Sequence, residues 1–371
     1  MIYLDNASTT KPSPDVIEAI DYVLRSKWGN PSSIHSLGQE AKKIVDYNRK
    51  IVASFINAEE DEIYFTSGAC EANSMALLGY ILTHKNTWLL HSCIEHKSIM
   101  DLSVDYGGIN IPVDSKGMID ISSLESKCRY YFTLNKNLLV SIQSANSEIG
   151  TIQDIKNISS MVHSYHGIMH TDATQLVSNQ KIDVKEMKVD MLSFSGQKIG
   201  APKGIGVLYV KKGVRIGPII YGSQENGLRG GTENVAYIHA LGTAISILEY
   251  PSEANFRYFF AKLKNKIPDI YLVGSNDLRT RLCNNLSICF KGVNSEALLL
   301  ALDNFNVFAS AGSACCSSIP KPSYVLTSIG MNEEDLNSVV RFSLSSSLNR
   351  QTIDNAVEII ASCVKKLREL I

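Results

Sequence analysis

Lys198 stands at the end of Asp190–Met191–Leu192–Ser193–Phe194–Ser195–Gly196–Gln197–Lys198 and is followed by Ile199–Gly200–Ala201–Pro202–Lys203–Gly204–Ile205–Gly206. An apolar run of β character closes in a Ser-Phe-Ser-Gly turn, with one lysine directly after it and glycines on either side. Such a lysine is poorly placed to be a solvated surface charge. A buried ammonium must pair or lose its proton, and a lysine with a depressed pKa is the usual side chain for forming an imine with an aldehyde. The chemistry on offer is a Schiff base with an aldehyde cofactor, although the same placement also suits a lysine that caps a loop.

Other polar clusters follow apolar runs in the same way. Ile94–Glu95–His96–Lys97–Ser98 offers His96, whose ring can stack on a planar cofactor and carry protons, or cap a helix. Asn146–Ser147–Glu148–Ile149–Gly150 is a polar turn able to hydrogen-bond a ring hydroxyl or a substrate, or to serve as a turn alone. In His170–Thr171–Asp172–Ala173–Thr174–Gln175, Asp172 is a carboxylate that can keep a pyridine nitrogen protonated, so that the ring accepts carbanion electrons. An Asp after a strand is also commonly an N-cap. Asp172 precedes Lys198 with one intervening segment, Ile182 to Lys188, and that order fits a pyridoxal 5′-phosphate enzyme. Ser67–Gly68–Ala69–Cys70–Glu71 adds small residues at a strand-to-helix turn, where backbone N–H groups and the helix dipole can face a phosphate.

The elements that must position these residues alternate. Helical spacing is present over Pro14–Arg25 and in a long helix to about Ile56, for which Ser36 is a possible cap. Apolar runs follow at Ile63–Thr66, Trp88–His91, Ile109–Val113, Leu138–Ile142, Ile168–Thr171, Met191–Phe194 and Ile205–Val210, most of them separated by helical patterns such as Asp154–Tyr165. This predicts an α/β fold with a mostly parallel sheet covered on both faces. In such sheets ligands bind beyond the carboxyl ends of the strands, and every polar cluster above sits there. After a helix at Val235–Leu248, a second, smaller α+β domain is expected from about residue 250. Glu253–Lys266 and Ser295–Leu302 read as its helices, and Ile270–Val273, Leu286–Phe290, Val307–Ser310 and Val339–Leu344 as its strands. A last helix from about Thr352 carries Ile353, Val357, Ile360, Val364 and Leu367 on one stripe.

Composition narrows the class. The 371 residues are 44% hydrophobic and 20% charged, ordinary for a globular enzyme. A net charge of −1 gives no electrostatic footprint for nucleic acid or a membrane surface. No apolar run approaches the roughly 20 residues needed to span a bilayer, and no basic segment precedes an apolar one at the N-terminus, so a cytoplasmic protein is expected. The eight cysteines (70, 93, 128, 283, 289, 315, 316 and 363) show neither C-x-x-C pairs nor histidines at metal-ligand spacing, so no metal site is expected.

The motifs together resemble the NifS/IscS-type cysteine desulfurases, within the class V aminotransferase group of pyridoxal-phosphate enzymes. The resemblance covers essentially the whole chain. Its motifs include Gly29–Asn30–Pro31–Ser32–Ser33, Phe65–Thr66–Ser67–Gly68–Ala69, Glu95–His96–Lys97, Glu148–Ile149–Gly150, Asp172–Ala173–Thr174–Gln175, Ser193–Phe194–Ser195–Gly196, Arg229–Gly230–Gly231–Thr232, Gly312–Ser313–Ala314–Cys315 and Arg341–Phe342–Ser343–Leu344. It implies the fold type I of pyridoxal-phosphate-dependent transferases, with a large cofactor-binding domain at 12–249 built on a seven-stranded sheet. Residues 1–11 and 250–371 would form the small domain, which carries the catalytic-cysteine loop.

Site roles follow from the resemblance by position. Lys198 matches the cofactor-linked lysine, Asp172 the partner of the pyridine nitrogen, Gln175 a donor to the ring hydroxyl, and His96 the stacking residue. Ala69 and Cys70 fall where a helix N-terminus receives the phosphate, together with Ser195 and Gln197, while Ser147 lies near the ring and substrate. Thr232 matches the threonine that reaches the phosphate of a neighbouring subunit, which implies a homodimer. Arg341 matches the arginine that clamps the substrate carboxylate. Cys315 lies in a small-residue run, Ala309–Ser310–Ala311–Gly312–Ser313–Ala314–Cys315–Cys316–Ser317–Ser318, with little to pack, as suits a thiol that visits the cofactor and leaves carrying sulfur.

The implied reaction converts L-cysteine to L-alanine. Lys198 takes the Cα proton, the Cys315 thiolate attacks the substrate sulfur, and the resulting persulfide serves an acceptor protein in iron–sulfur assembly, tRNA thiolation or sulfur insertion into DNA. Three positions depart from the family pattern: Cys70 stands for the usual threonine, Gln197 for a histidine and Ser147 for an asparagine. Cys316, next to Cys315, could resolve the persulfide or be a bystander. Some family members carry a further C-terminal tail for scaffold docking, which is not expected here. An aminotransferase or selenocysteine lyase of the same fold, or a non-catalytic sulfur-relay subunit, remains open at this level.

Overall fold

The computed structural model describes residues 1–311 and 322–370, so Cys315 and Cys316 lie outside the described residues. Strand β1 (Ile2–Tyr3) opens the chain. The strands β2 (Ile63–Thr66), β3 (Thr87–Ser92), β4 (Ile109–Ile111), β5 (Asn137–Ser141), β6 (Ile168–Asp172), β7 (Met191–Ser195) and β8 (Gly206–Val210) form one seven-stranded sheet in the order β2-β8-β7-β6-β5-β3-β4. All neighbours from β4 to β7 are parallel, and β8 runs antiparallel to both β7 and β2. The predicted seven runs are thus strands of a single mostly parallel sheet.

Strict alternation divides each central strand between two apolar layers. Leu89, Leu139, Met191 and Leu208 pack with Met75 and Leu77 of the Ala69–Thr83 helix. Their neighbours Leu90, Val140, Leu192 and Val207 pack on the other face with Val45, Val52, Ile238 and Leu241. A period of two with both faces apolar is what a sheet sandwiched between helices requires, and it is why β7 is buried at every position.

A second sheet gathers later segments. Strands β9 (Ile270–Leu272), β10 (Asn285–Phe290), β11 (Val307–Phe308), β12 (Ser310–Ala311) and β13 (Val339–Ser343) follow the long Val235–Ser246 and Glu253–Lys266 helices. Four of them form an antiparallel sheet, β12-β13-β10-β9, while β11 pairs in parallel with β1. Its core is aromatic: Phe342 meets Phe259 and Phe290 edge-on at 5.8 and 6.2 Å between ring centroids, an arrangement worth about 0.5–1.5 kcal/mol beyond burial.

Two expectations shift at the level of single residues. The run Val307–Ser310 is not one strand but two, because the chain changes partner at Ala309, from β1 to β13. The cap of the Ser36–Ile56 helix is His35 rather than Ser36, its Nδ1 accepting from the Gly38 N–H at 3.3 Å.

The N-terminal segment joins the two sheets. After β1, Asp5 bridges to Ser343 of β13, and Thr10 reaches the turn that carries Lys198, its N–H donating to the Gln197 carbonyl at 2.9 Å. Among the described residues, no helix is long and apolar enough to cross a membrane.

Candidate active site

The predicted polar clusters converge at one edge of the large sheet, where β2, β3, β5, β6 and β7 end and β8 begins. Two glycines make the edge passable. A Cβ on Gly206 would lie 2.6 Å from the Gly68 backbone, so the start of β8 can cross the Ser67–Gly68 turn only as glycine. A Cβ on Gly68 would meet nothing within 4 Å, so the N-terminus of the Ala69–Thr83 helix opens onto free space. Gly68 is its N-cap and supplies no side-chain cap.

Asp172, the last residue of β6, is buried and held at both oxygens. Its Oδ1 accepts from the Thr174 N–H at 2.9 Å and its Oδ2 from Asn73 Nδ2 at 2.8 Å. The same Asn73 amide donates to Ser98 Oγ at 3.0 Å, and Ser98 Oγ lies 2.9 Å from His96 Nδ1. A hydrogen-bonded chain therefore runs from His96 through Ser98 and Asn73 to Asp172. His96 also caps the Lys97–Asp105 helix, its Nδ1 accepting from the Ser98 N–H at 3.2 Å, and its ring is exposed.

Lys198 closes the turn after β7. Burial, aided by the neighbouring Arg341 guanidinium, brings its ammonium down to about 8, against the opposing charges of Asp5 and Asp172. Near neutral pH it is thus partly the free amine. Its Nζ donates to the Ser8 carbonyl at 2.5 Å, and the Ser8 hydroxyl accepts from Arg341 Nη2 at 2.7 Å. Arg341, in the middle of β13, is 5% exposed. Its Nη2 also donates to Asp5 Oδ1 at 2.9 Å and its Nη1 to the Ser147 carbonyl at 3.0 Å.

The remaining predicted residues fall around these. Ala69 and Cys70 occupy the first turn of the open helix. The Cys70 thiol is pushed up by burial and by Asp172, and so stays protonated. Gln175 Nε2 donates to the Ala7 carbonyl at 3.1 Å. Ser195 ends β7, and Gln197 sits in the short 3-10 turn Gly196–Lys198. Ser147 takes part through its carbonyl, which also accepts from Asn285 Nδ2 at 3.1 Å. Thr232 is exposed, in a loop tied back to the helix N-terminus by Arg229, whose Nε donates to Glu71 Oε1 at 2.7 Å. Glu71 Oε2 accepts in turn from the Ser67 N–H at 2.8 Å.

These residues fit pyridoxal phosphate. Asn73 Oδ1, Thr174 Oγ1 and Arg341 Nε are buried without a partner among the described residues, beside Asp172 and in the arginine itself, and a bound polar group can use that capacity. The open helix N-terminus suits its phosphate, Asp172 its ring nitrogen and Lys198 its aldehyde.

Sequence reasoning passed over Asn73, Ser98, Asp5 and Ser8. Asn73 follows Cys70 by one helical turn, a spacing that could have marked it as facing the same way.

Two buried carboxyls stand behind the site. Glu95 is fully buried and held well above the usual carboxylate range by that burial; its Oε1 accepts from the Gln143 N–H at 2.8 Å while Oε2 has no partner among the described residues. Burial brings Glu148 up to about 7, although the Ser323 hydroxyl, which donates to its Oε2, and Arg341 pull the other way. An unfolded glutamate titrates near ~4.3. Between those values the folded state holds the extra proton, so stability is fully present below the lower one, falls as pH rises through the window, and is level above about 7. Glu148→Gln, which keeps an acceptor for Ser323, should therefore gain thermal stability over the parent at pH 8 but little at pH 5. An equal difference at both pH values in thermal melts would show that Glu148 titrates normally.

Comparison with known proteins gives the family. The family described as Aminotransferase class-V matches residues 2–355. A cysteine desulfurase IscS from Dictyoglomus turgidum is 38% identical across 100% of this chain and 96% of its own. Among solved structures, a NifS-like protein from Rickettsia africae shares 30% identity and superposes with a TM-score of 0.86 over 98% of this chain and 99% of that one. SspA, in a structure with cysteine bound, is 31% identical with a TM-score of 0.82, covering 93% of this chain and 99% of that one. Matched nearly end to end in sequence and superposed over both sheets, the chain belongs to the class-V aminotransferases, a pyridoxal-phosphate-dependent family of fold type I, and within them to the NifS/IscS-type cysteine desulfurases.

Proposed function

We propose that this protein is a cysteine desulfurase that converts L-cysteine to L-alanine and leaves the sulfur as a persulfide on Cys315. One observation carries the reading: Ser8 brings Lys198 and Arg341 together, receiving the amine on its carbonyl and the guanidinium on its hydroxyl. A proton-transferring amine beside a carboxylate clamp is what an α-amino acid substrate requires.

Lys198, Asp172, Gln175, His96, Ala69, Cys70, Ser195 and Gln197 would hold the pyridoxal phosphate, with Thr232 contributed across a homodimer. When bound, the cofactor supplies the electron sink that makes a substrate Cα–H acidic. Arg341 binds the substrate carboxylate and aims the Cα–H at Lys198. Lys198, with its lowered pKa, takes that proton as the amine and returns one as the ammonium. Asp172, fixed by Asn73 and Thr174, keeps a proton on the ring nitrogen. At Cys315, attack by the thiolate forms the S–S bond and breaks the substrate C–S bond. The electron pair returns to carbon, which is protonated to give alanine, and oxidation states balance without an external oxidant.

In the same reading, residues 12–249 form the cofactor-binding domain and 1–11 with 250–371 the smaller one. The enzyme works in the cytoplasm and passes its sulfur to an acceptor protein. The test is an assay of the pyridoxal-phosphate-loaded protein with L-cysteine and a thiol reductant. Equal amounts of alanine and sulfide support the proposal, whereas pyruvate with ammonia, or amino transfer to a keto acid, would overturn it. Arg341→Lys keeps a charge but loses the planar two-point fork, so KM for cysteine should rise about 10- to 100-fold with a smaller change in kcat. An unchanged KM would remove Arg341 from the substrate site.

A further inference from the structure

The N-terminal segment puts a carboxylate where a ligand carboxylate is expected. Asp5 is fixed on three sides. Leu4 N–H donates to the Phe308 carbonyl at 2.8 Å, Asp5 bridges to Ser343, and Ala7 N–H donates to Ser343 Oγ at 2.8 Å. The backbone there has little freedom, so the position of the Asp5 side chain is set by β13. From it Oδ1 accepts from Arg341 Nη2 at 2.9 Å and from the Ser8 hydroxyl at 2.8 Å. This is the one ion pair Arg341 makes among the described residues, with the arginine side chain 6% exposed and the aspartate 20%.

The balance of charge explains the arrangement. Arg341 and Lys198 are two cations in one cleft, and each disfavours the other. Among the described residues, the ionisable groups that act on Lys198 are Arg341, Asp5, Asp172 and Cys70. Asp172 already has its own donors in Asn73 and Thr174, and the Cys70 thiol stays protonated. Glu148 also feels Arg341, but burial brings it up to about 7 and its Oε2 is taken by the Ser323 hydroxyl. Asp5 is therefore the carboxylate that, among the described residues, pairs with the guanidinium before substrate arrives. An uncompensated buried guanidinium is costly, and one with a fixed partner must share its donors with any incoming anion.

We infer that Asp5 is a positioning residue that holds Arg341 in the free enzyme and sets, through its charge, how strongly that arginine attracts the carboxylate of an amino-acid ligand. The inference rests on the functional reading above and deepens it: Asp5 does not touch the reacting atoms but acts through Arg341. Because Ser8 is shared between Asp5, Arg341 and the Lys198 amine, the same charge also supports the basicity of Lys198.

Asp5→Asn separates charge from shape. The amide oxygen can still accept from Arg341 and Ser8, while the negative charge is gone. The probe is propionate, a carboxylate without an amino group, titrated into the pyridoxal-phosphate-loaded protein and followed by calorimetry. Asp5→Asn should bind propionate roughly three- to tenfold more tightly than the parent, the gain shrinking with added salt. Asp5→Glu, which keeps the charge, should stay within about twofold. In an Arg341→Gln background the Asp5→Asn change should no longer alter propionate binding. The pH midpoint of the visible band that reports the Lys198 linkage should move down in Asp5→Asn and stay in place in Asp5→Glu. A purely structural role would lower the melting temperature and leave both readouts where they were.

Equal or weaker propionate binding in a folded Asp5→Asn protein overturns the inference, as does a gain that persists without Arg341. Should Asp5→Asn not fold, Asp5→Ser, which also removes the charge, carries the same expectations. A holoenzyme that releases no alanine from cysteine yet shows the propionate series as described would sink the functional reading and leave the role of Asp5 standing.

Discussion

Lys198→Ala should yield a folded protein that no longer retains pyridoxal phosphate through dialysis and shows no visible absorbance band, with turnover of cysteine reduced by at least about 10²–10⁴-fold, the usual range for loss of a positioned proton-transfer group. The fold should tolerate the change. The amine is buried and costs free energy to desolvate, and its one hydrogen bond among the described residues runs to the Ser8 carbonyl, which the Thr10 contacts to the Gln197–Lys198 turn still hold nearby. The loss must therefore be chemical. With the ammonium brought down to about 8, the parent holds a useful fraction of free amine at neutral pH, and that fraction falls tenfold for each unit of pH lowered below this value. Cofactor uptake by the parent should accordingly slow in acid and level off above pH 8. Mass spectrometry after borohydride reduction checks the assignment directly: a pyridoxyl adduct on another lysine, or an adduct retained in Lys198→Ala, would show that the lysine had been misassigned.

Cys315→Ser should keep the visible band and cofactor affinity of the parent while persulfide formation disappears, a loss of roughly 10³-fold or more in sulfur transfer because a hydroxyl is neither ionised at neutral pH nor able to take over sulfur from sulfur. Cys315 lies outside the described residues, and its assignment rests on the sequence around it. The chemistry of five of the other cysteines is consistent with it. Burial pushes the thiols of Cys128 and Cys289 up to about 12 and raises those of Cys70, Cys283 and Cys363. A thiol held in its protonated form is a poor nucleophile, so these five are unsuited to attack a substrate sulfur. Ser310 of strand β12, which precedes Cys315 in the sequence, also pairs with Arg341. Peptide mapping after a single turnover decides the matter. A persulfide on Cys316 in the parent protein, or one still formed in Cys315→Ser, would transfer the role to the neighbouring thiol.

The two assignments differ in how they could be found. Lys198 is marked by its own surroundings, since an apolar strand, a small-residue turn and flanking glycines leave a lysine little water to reach. Asp172 and the Ser67–Glu71 turn are marked likewise by position at strand ends. The strands themselves were legible because burial on both faces produces continuous apolar runs of the observed length. Where local pattern and partner choice conflict, the pattern misleads. Val307–Ser310 reads as one strand and is two, because β1 and β13 each claim a part of it.

Position at a strand end does not reveal what a side chain will meet. Asp5 and Arg341 are 336 residues apart, and Asn73 and Asp172 are 99 apart. No periodicity relates them, and the same residue types would read identically if the chain were closed another way. The raised titration of Glu148 is of the same kind, since it follows from burial set against the pull of Ser323 and Arg341, both far along the sequence. The amino-acid order by itself determined the elements and their α/β alternation, because those follow from short-range sterics and hydrophobic period, and it nominated Lys198 and Cys315 for imine and thiol chemistry. Only the tertiary structure decided which polar groups share a hydrogen bond and which charges face one another, because Coulomb and hydrogen-bond energies depend on distances that folding sets.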